Sequence, residues 1–489
     1  MTEFSPPLPK YKLKVILTPD QSAMAFASVL NKPKGNSISV PKWAFSDCDC
    51  SDCDCSDCAC PQDAFLDLYT PSFHLSTPVI YALELTPVCN NHCPGCGNAF
   101  IDEAERSKRN LQDKCLPLAL EGWKNVLDRL APHAGYLKIT GGEPTVHPQF
   151  QSIIREVAKK GIPFTIFTNG RWQNPERMVE FLAGLPECRG LLISLHGNTS
   201  ALHEGFTNAP GSFQQTIANI RLATQAGIHV ATSTVISRYN YDQINAIIDL
   251  SNRLGAEHAV FKRYLGLPVK DLETSNEQLC IAVQSVETAI HNQWGVKWGN
   301  CLPECSVGEN TSSGCLAGIA YCAIDPWGNL RPCAHDPLIC GNVLEKPVKE
   351  IWEGPELQSW RAFIPENCTG CSILAICRMG CKATALLNGN VETFKRISPK
   401  LRVNHDSSEI SLFEGFYPIK KQMFTQDESF GEAWVNGNKL TLIPERDLQV
   451  VAACDGGHTL KQIDQKFGAE GLNTIGYLLQ HDLIELSEK

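Results

Sequence analysis

From about residue 81 to residue 264 the chain alternates short apolar runs with stretches in which apolar side chains recur every three or four positions. The runs at 81–85, 136–140, 164–168, 191–195, 230–236 and 259–263 have the length and β-branched or aromatic content of buried strands. Between them, Phe150, Ile153, Ile154 and Val157, and again Phe213, Ile217 and Ile220, follow the spacing that gathers apolar groups on one helix face. Six strand and helix units in succession predict an α/β fold around a parallel sheet, either a partial barrel or a doubly wound sheet. In both, chemistry gathers at the carboxyl ends of the strands.

That core is expected to span 78–265. Residues 266–390 change character: cysteine, glycine and proline dominate from about 300, and the apolar core looks too thin to fold without metal staples. A weakly patterned stretch at 391–430 reads as a linker, and order returns in 431–489. There "WVNGNKLTLI" reads as a hairpin about Asn436-Gly437. Thr459 can N-cap a helix to Phe467, Ile475, Leu478 and Leu479 line a second, and "LIEL" closes as a strand, which together make a small winged-helix-like unit. Residues 1–77 carry one possible strand, "YKLKVIL", and the segment 46–60, "SDCDCSDCDCSDCAC", in which six cysteines are interleaved with five aspartates.

Composition narrows the class. A length of 489 residues suits two to four domains, and 43% hydrophobic with 20% charged residues is ordinary for a soluble globular protein. The net charge of −10, with no run of basic residues longer than two, argues against nucleic acid or an anionic membrane as the partner. No basic segment leads into an apolar one at the N-terminus, and no uninterrupted run of about 18 apolar residues occurs, so a cytoplasmic location is expected. Thiols stay reduced there, and 23 cysteines then read as metal or catalytic ligands before they read as disulfides.

Cys89, Cys93 and Cys96 form C-x3-C-x2-C in "TPVCNNHCPGC", immediately after the first strand. Three thiolates can hold three irons of a [4Fe–4S] cluster and leave the fourth open. A zinc site completed by His92 is the alternative. "KITGGEPTVHP" sets Gly141, Gly142 and Glu143 at the end of the second strand, where glycines permit close backbone approach and a carboxylate can accept from an ammonium group. Farther on, Cys368, Cys371, Cys377 and Cys381 form C-x2-C-x5-C-x3-C, a spacing expected by chance roughly a few times in a thousand. Cys315-x12-Gly328-x4-Cys333 lies upstream, and two four-cysteine zinc sites are the alternative for this field.

Over about 78–265 these motifs resemble the radical S-adenosylmethionine (SAM) superfamily. The resemblance implies a partial (β/α)6 barrel in which Cys89, Cys93 and Cys96 bind a [4Fe–4S] cluster and SAM chelates its open iron. It implies that Gly141, Gly142 and Glu143 contact the methionyl amino group, and that Thr168 and Asn169 of "FTNG" and Ser194 of "LISLHG" lie near SAM. His196 is placed near SAM or substrate, with a structural role as the alternative, and Asn240 is a further SAM candidate. One position departs: Gly95 stands where the family often has an aromatic residue, which removes adenine packing by that side chain. The implied chemistry is one-electron cleavage of SAM to a 5′-deoxyadenosyl radical, which abstracts hydrogen from a substrate carbon.

The second cysteine field resembles a SPASM domain, which implies two auxiliary [4Fe–4S] clusters. On that resemblance Cys315, Cys333 and Cys381 share one cluster with Cys305 or Cys301, and Cys368, Cys371 and Cys377 hold the other. The cysteine that usually closes the pattern is missing between Cys381 and Cys454, so the second cluster has a non-cysteine ligand or an open iron. Cys322 and Cys340 fit neither cluster, and Cys115, Cys188 and Cys280 read as small buried apolar groups. The tail resembles a winged-helix module that binds a leader peptide by strand addition, with a helical cap as the alternative.

The expected function is that of a radical SAM/SPASM maturase. It would install a thioether, a carbon–carbon crosslink or another oxidative modification on a peptide or protein, with electrons from a flavodoxin or ferredoxin-type donor. The alternatives are a SPASM dehydrogenase of a small molecule or of one protein residue, as in sulfatase-maturing enzymes, and a non-enzymatic iron–sulfur electron carrier. Segment 46–60 reads as a passive tether, a handler of soft metals, or a cysteine-rich substrate built into the enzyme.

Overall fold

A computed structural model describes residues 73–98, 116–265, 272–299, 302–303, 305–307, 314–371, 374–388, 415–437 and 439–488, with the strand backbone at 12–17 and 408–413. Segment 46–60, Cys115 and Cys301 lie outside the described residues. The chain divides into two compact units, one of Tyr69–Val403 and one that joins Met1–Leu68 to Asn404–Lys489.

Strand β1 (Lys12–Leu17) belongs to the smaller unit. In the larger unit the strands are β2 (Ile80–Glu84), β3 (Tyr136–Thr140), β4 (Phe164–Thr168), β5 (Cys188–Ser194), β6 (Val230–Ile236), β7 (His258–Arg263), β8 (Val296–Trp298), β9 (Tyr321–Ile324), β10 (Asn329–Arg331) and β11 (Gly341–Asn342). They form one sheet in the order β11-β10-β9-β2-β3-β4-β5-β6-β7-β8. Pairing is parallel from β9 through β8, and β10 runs antiparallel to both β9 and β11. The six expected units thus build the parallel part of a radical SAM-type (β/α) core, within a residue to three of the expected bounds. Period-two alternation divides its faces. Leu83, Leu137, Ile139, Phe164, Ile166, Leu191 and Ile193 pack under the helices, and Glu84, Lys138, Phe167, Ser194 and Lys262 alternate with such residues toward the opposite face.

Two parts of this sheet come from beyond residue 265. The helix Asn276–His291 opens with a capping box between Ser275 and Gln278 and leads into β8 at the edge of the sheet. Farther along, β9 inserts beside β2 and buries Cys322 fully. Cys340 and Cys280 are also buried, and Cys188 is half-buried.

In the smaller unit β1 pairs antiparallel with β12 (Ser408–Phe413), and β13 (Tyr417–Lys420) pairs with β17 (Ile484–Ser487). Strands β14 (Phe424–Glu428), β15 (Gly431–Asn436) and β16 (Lys439–Pro444) form a three-stranded meander. The Asn436↔Lys439 register leaves a two-residue turn opened by Gly437 at φ +60°, one position later than expected. Thr459 caps the last helix in a capping box with Gln462, and Gly468, at φ +64°, interrupts it. Trp434, Leu460, Ile463, Ile475 and Leu478 share the core. The stretch expected as linker, 391–430, contains β12, β13 and β14. Along β14 half-buried and exposed positions alternate in a polar sequence, FTQDE, which offers no apolar run to read.

Candidate functional site

The three cysteines after β2 lie half-buried in a loop fixed by polar ties to the ends of β3 and β4. Gly142 N donates to Thr86 O (2.7 Å) and Glu143 N to Val88 O (2.8 Å), so the turn after β3 runs against the backbone that leads into Cys89. A Cβ on Gly141 would stand 2.7 Å from Thr86 O, and one on Gly142 would stand 2.3 Å from Val88 O. What requires glycine here is the approach of one loop to the other. The Gly141 carbonyl accepts from Asn98 Nδ2 at 2.5 Å, just past Cys96.

Glu143 is fully buried, and its carboxylate is engaged by the protein. Oε1 accepts from Thr145 N (3.2 Å), Thr145 Oγ1 (2.6 Å) and Thr168 Oγ1 (2.8 Å), and Oε2 accepts from Asn169 N (2.6 Å). Burial raises its pKa, and these four donors oppose the rise. Thr168 Oγ1 also accepts from Gly170 N and Trp172 Nε1. Asn169 continues the chain of contacts: Nδ2 donates to Asn90 Oδ1 at 2.6 Å and points at Cys89 Sγ at 3.8 Å. Arg171, which no motif singles out, donates to Asn90 O and Asn91 Oδ1. The Glu143 carboxylate thus ties the turn after β3 to the end of β4, and Asn169 ties that end to the cysteine loop.

A second group of ties closes the ends of β5 and β6. Asn240 Nδ2 donates to His196 O and Val235 O, both at 2.9 Å, and its Oδ1 accepts from Ser237 N at 2.7 Å. The His196 ring accepts from Val235 N through Nδ1 and lies 4.0 Å from the Phe206 ring. Burial, then the charges of His203 and Lys262, hold it neutral far below its usual range. Ser194 differs: it is half-buried at the end of β5, and among the described residues no hydrogen bond engages its hydroxyl.

The space beside Gly95 is filled. A Cβ there would stand 2.6 Å from Leu272 Cδ1 and 2.9 Å from Tyr264 Cε2, so Tyr264, just past β7, brings an aromatic ring to the position that lacks one. Lys262 Nζ lies 5.6 Å from the Phe167 ring centroid and Lys138 Nζ lies 4.8 Å from that of Tyr321. Burial, then the Lys138 charge, lowers the Lys262 pKa to about 8.

Six of the later cysteines fall into two groups, Cys315, Cys333 and Cys381, and Cys368, Cys371 and Cys377. Burial, then the charges of Cys381 and Cys315, pushes the Cys333 thiol well above its usual range, and burial and Cys315 raise Cys381. Cys368 is pushed up to about 11 by burial, then by Cys377, Cys371 and Cys305. His335 links the first group to the loop after β2: its amide donates to Cys333 Sγ (3.2 Å), and its Nδ1 donates to Gly97 O (2.8 Å), one residue past Cys96. Among the described residues no three His, Cys, Asp or Glu side chains converge tightly enough to hold a single ion. Grouped thiols that repel one another's charge suit a cationic iron centre shared among them.

Comparison with known proteins agrees with this geometry. Residues 83–251 match the Radical SAM superfamily, and residues 315–372 match SPASM, an iron–sulfur cluster-binding domain. The protein is a radical SAM enzyme with an iron–sulfur extension. More particularly, the chain belongs to the SPASM-bearing branch of that superfamily, whose core domain binds a [4Fe–4S] cluster and SAM. It is 27% identical over 336 residues to the AdoMet-dependent heme synthase of Methanosarcina barkeri, covering 63% of this chain and 93% of that one. It is 28% identical over 335 residues to the mycofactocin maturase MftC of Mycobacterium ulcerans, covering 64% and 86%. The fold is similar to that of Streptococcus suis SuiB bound to precursor peptide SuiA, with a TM-score of 0.53 and 18% identity over 73% of this chain and 85% of that one. No helix among the described residues is long and apolar enough to cross a membrane.

Proposed function

We propose that the protein is a cytoplasmic peptide maturase, in which Cys89, Cys93 and Cys96 hold the SAM-binding cluster and the two later cysteine groups hold auxiliary clusters. The observation that carries this reading is the pair of cysteine groups within one compact unit, with His335 tying the first of them to the loop of the SAM cluster. When bound, the cluster and SAM supply a 5′-deoxyadenosyl radical for hydrogen abstraction. The chain's own residues position. Glu143, Thr168 and Asn169 fix the cysteine loop, Ser194 offers a hydroxyl to the SAM pocket, and Tyr264 offers a ring for the adenine. Lys138 and Lys262 make the inner face of the sheet positive, which suits a carboxylate on the substrate. The relative named as a maturase supports a peptide substrate, and strand edges of the β14-β15-β16 meander suit capture of a leader segment by strand addition. Electrons would come from a flavodoxin or ferredoxin-type protein.

A second reading, radical chemistry on a small carboxylated molecule, is favoured by the heme synthase relative and by the same two lysines. One experiment separates them. Anaerobically loaded enzyme is given SAM, reductant and each short peptide encoded beside its gene, and 5′-deoxyadenosine and peptide mass are followed. A peptide that accelerates 5′-deoxyadenosine formation and changes mass supports maturation. Absence of any response to peptide, with a response to a small carboxylated metabolite pool, overturns it.

A further inference from the structure

A cavity of about 20 Å³ lies in the larger unit, walled by residues on either side of the later cysteines and sharing none with the inner face of the sheet. Three buried cations line it, Arg361, Arg378 and Lys382, and no acidic side chain does. Arg361 is 3% exposed; its Nε donates to Gly318 O at 2.7 Å, and its Cζ lies 4.5 Å from the centre of the Trp352 ring. Its two terminal nitrogens, Nη1 and Nη2, are buried and make no hydrogen bond among the described residues. Arg378 Nη1 donates to Cys315 O at 3.3 Å and Lys382 Nζ to Arg361 O at 2.6 Å, so backbone carbonyls steady both head groups without neutralising them. Glu353 reaches Arg361 by charge but not by a hydrogen bond, and its carboxylate accepts from His74 Nε2 at 3.2 Å. The backbone is bent to build this wall. Arg378, at φ +49°, and Met379, at φ +66°, line the cavity from the left-handed region, ahead of Gly380 at φ +62°. Side chains held there are strained, and such strain persists where a site requires it.

Buried charge without a partner is costly, and arginine presents its N–H groups as a planar fork that matches two coplanar oxygens. A cavity of about 20 Å³ has room for about one or two water-sized atoms, which suits the oxygens of a carboxylate and is too small for a phosphate or a metal cluster. We infer that this cavity binds a carboxylate group, which takes the Arg361 fork and is neutralised further by Arg378 and Lys382, with Trp360 and Met379 walling the carbon that bears it. A free small carboxylate and an acidic side chain of a bound peptide present the same group there.

The test uses the full chain, loaded anaerobically with iron and sulfide, in a buffer whose only other anion is chloride. Binding of radiolabelled acetate is measured by equilibrium dialysis. Wild type is expected to show a saturable site that R361M weakens by about tenfold or more, and that R361K, with the charge but not the fork, restores only in part. Acetate held by an open iron or beside Lys262 would persist in R361M as a separate component. Because R361M also loses the bond to Gly318, iron per chain and melting temperature check its fold, and R378M, which keeps that bond, is expected to show the same loss. N-acetylglutamic α-amide then separates the sources: displacement of acetate marks a site open to acidic side chains, and no displacement marks one for a free small carboxylate, either of which supports the inference. Absence of saturable acetate binding in wild type overturns it, as does binding unchanged in R361M and R378M, or equal displacement by inorganic phosphate.

Discussion

Changing Glu143 to Gln separates two roles that its motif leaves merged, contact with SAM and support of the cysteine loop. The carboxylate takes three bonds on Oε1 and one, from the Asn169 amide at 2.6 Å, on Oε2. Glutamine keeps one acceptor oxygen, so the three bonds survive and its NH2 then faces the Asn169 N–H, donor against donor. A hydrogen bond to a charged group contributes about 1.5–3 kcal/mol, and a buried donor left unsatisfied costs about 1–3 kcal/mol. E143Q should therefore destabilise the larger unit by about 3–5 kcal/mol. At roughly 2 °C per kcal/mol for a unit of this size, its melting temperature should fall by about 6–10 °C. The assay is thermal unfolding of the cluster-loaded, SAM-free protein at pH 7, followed by far-ultraviolet circular dichroism, because support of the loop does not need SAM. If E143Q melts within about 2 °C of wild type there, yet the loaded variant loses SAM affinity, the carboxylate acts on SAM and the assignment to the loop is wrong.

Three further outcomes are expected. Tyr264→Ala removes the ring that fills the space beside Gly95, and should weaken SAM binding to the loaded enzyme by about tenfold in equilibrium dialysis; an unchanged Kd refutes the role given to that ring. Lys262 has a folded-state pKa of about 8, below its ordinary 10.5, so its contribution to stability is present above pH 10.5 and lost as pH falls through 8. Lys262→Met should then raise the unfolding free energy at pH 7, measured by urea titration, by up to about 3 kcal/mol and less because the amine is half-buried, with the gain vanishing at high pH; a variant less stable at pH 7 counts against the unfavourable charge. Finally, the tryptic peptide 43–106, weighed after turnover with SAM and reductant and then alkylated, tests segment 46–60. If cysteines in 48–60 resist alkylation only after turnover, with two hydrogens lost for each, the segment is a built-in substrate; alkylation of all six excludes that role.

What the sequence made legible follows physical necessity. Strands β3, β4 and β6 sit at the expected bounds because each is a short, largely apolar run between turns with one face packed under the helices. β9 could not be placed beside β2, because its pairing partner lies some 240 positions earlier and local alternation carries no record of it. The same holds for β1 with β12. In the site, cluster chemistry demands thiolates, so the cysteine groups stood out by spacing.

Polar side chains at strand ends are the harder case. Glu143, Thr168, Asn169 and Asn240 look alike in sequence whether they face a ligand or tie two loops, since both uses require a buried polar group with partners. In this structure all four side chains already have protein partners. A cluster loop held by Gly141, Gly142, Glu143 and Asn169 is positioned before any cofactor arrives, so little ordering is needed on binding. Tyr264, Lys138 and Lys262 have no motif to announce them, whereas Ser194 follows from the motif at the end of β5.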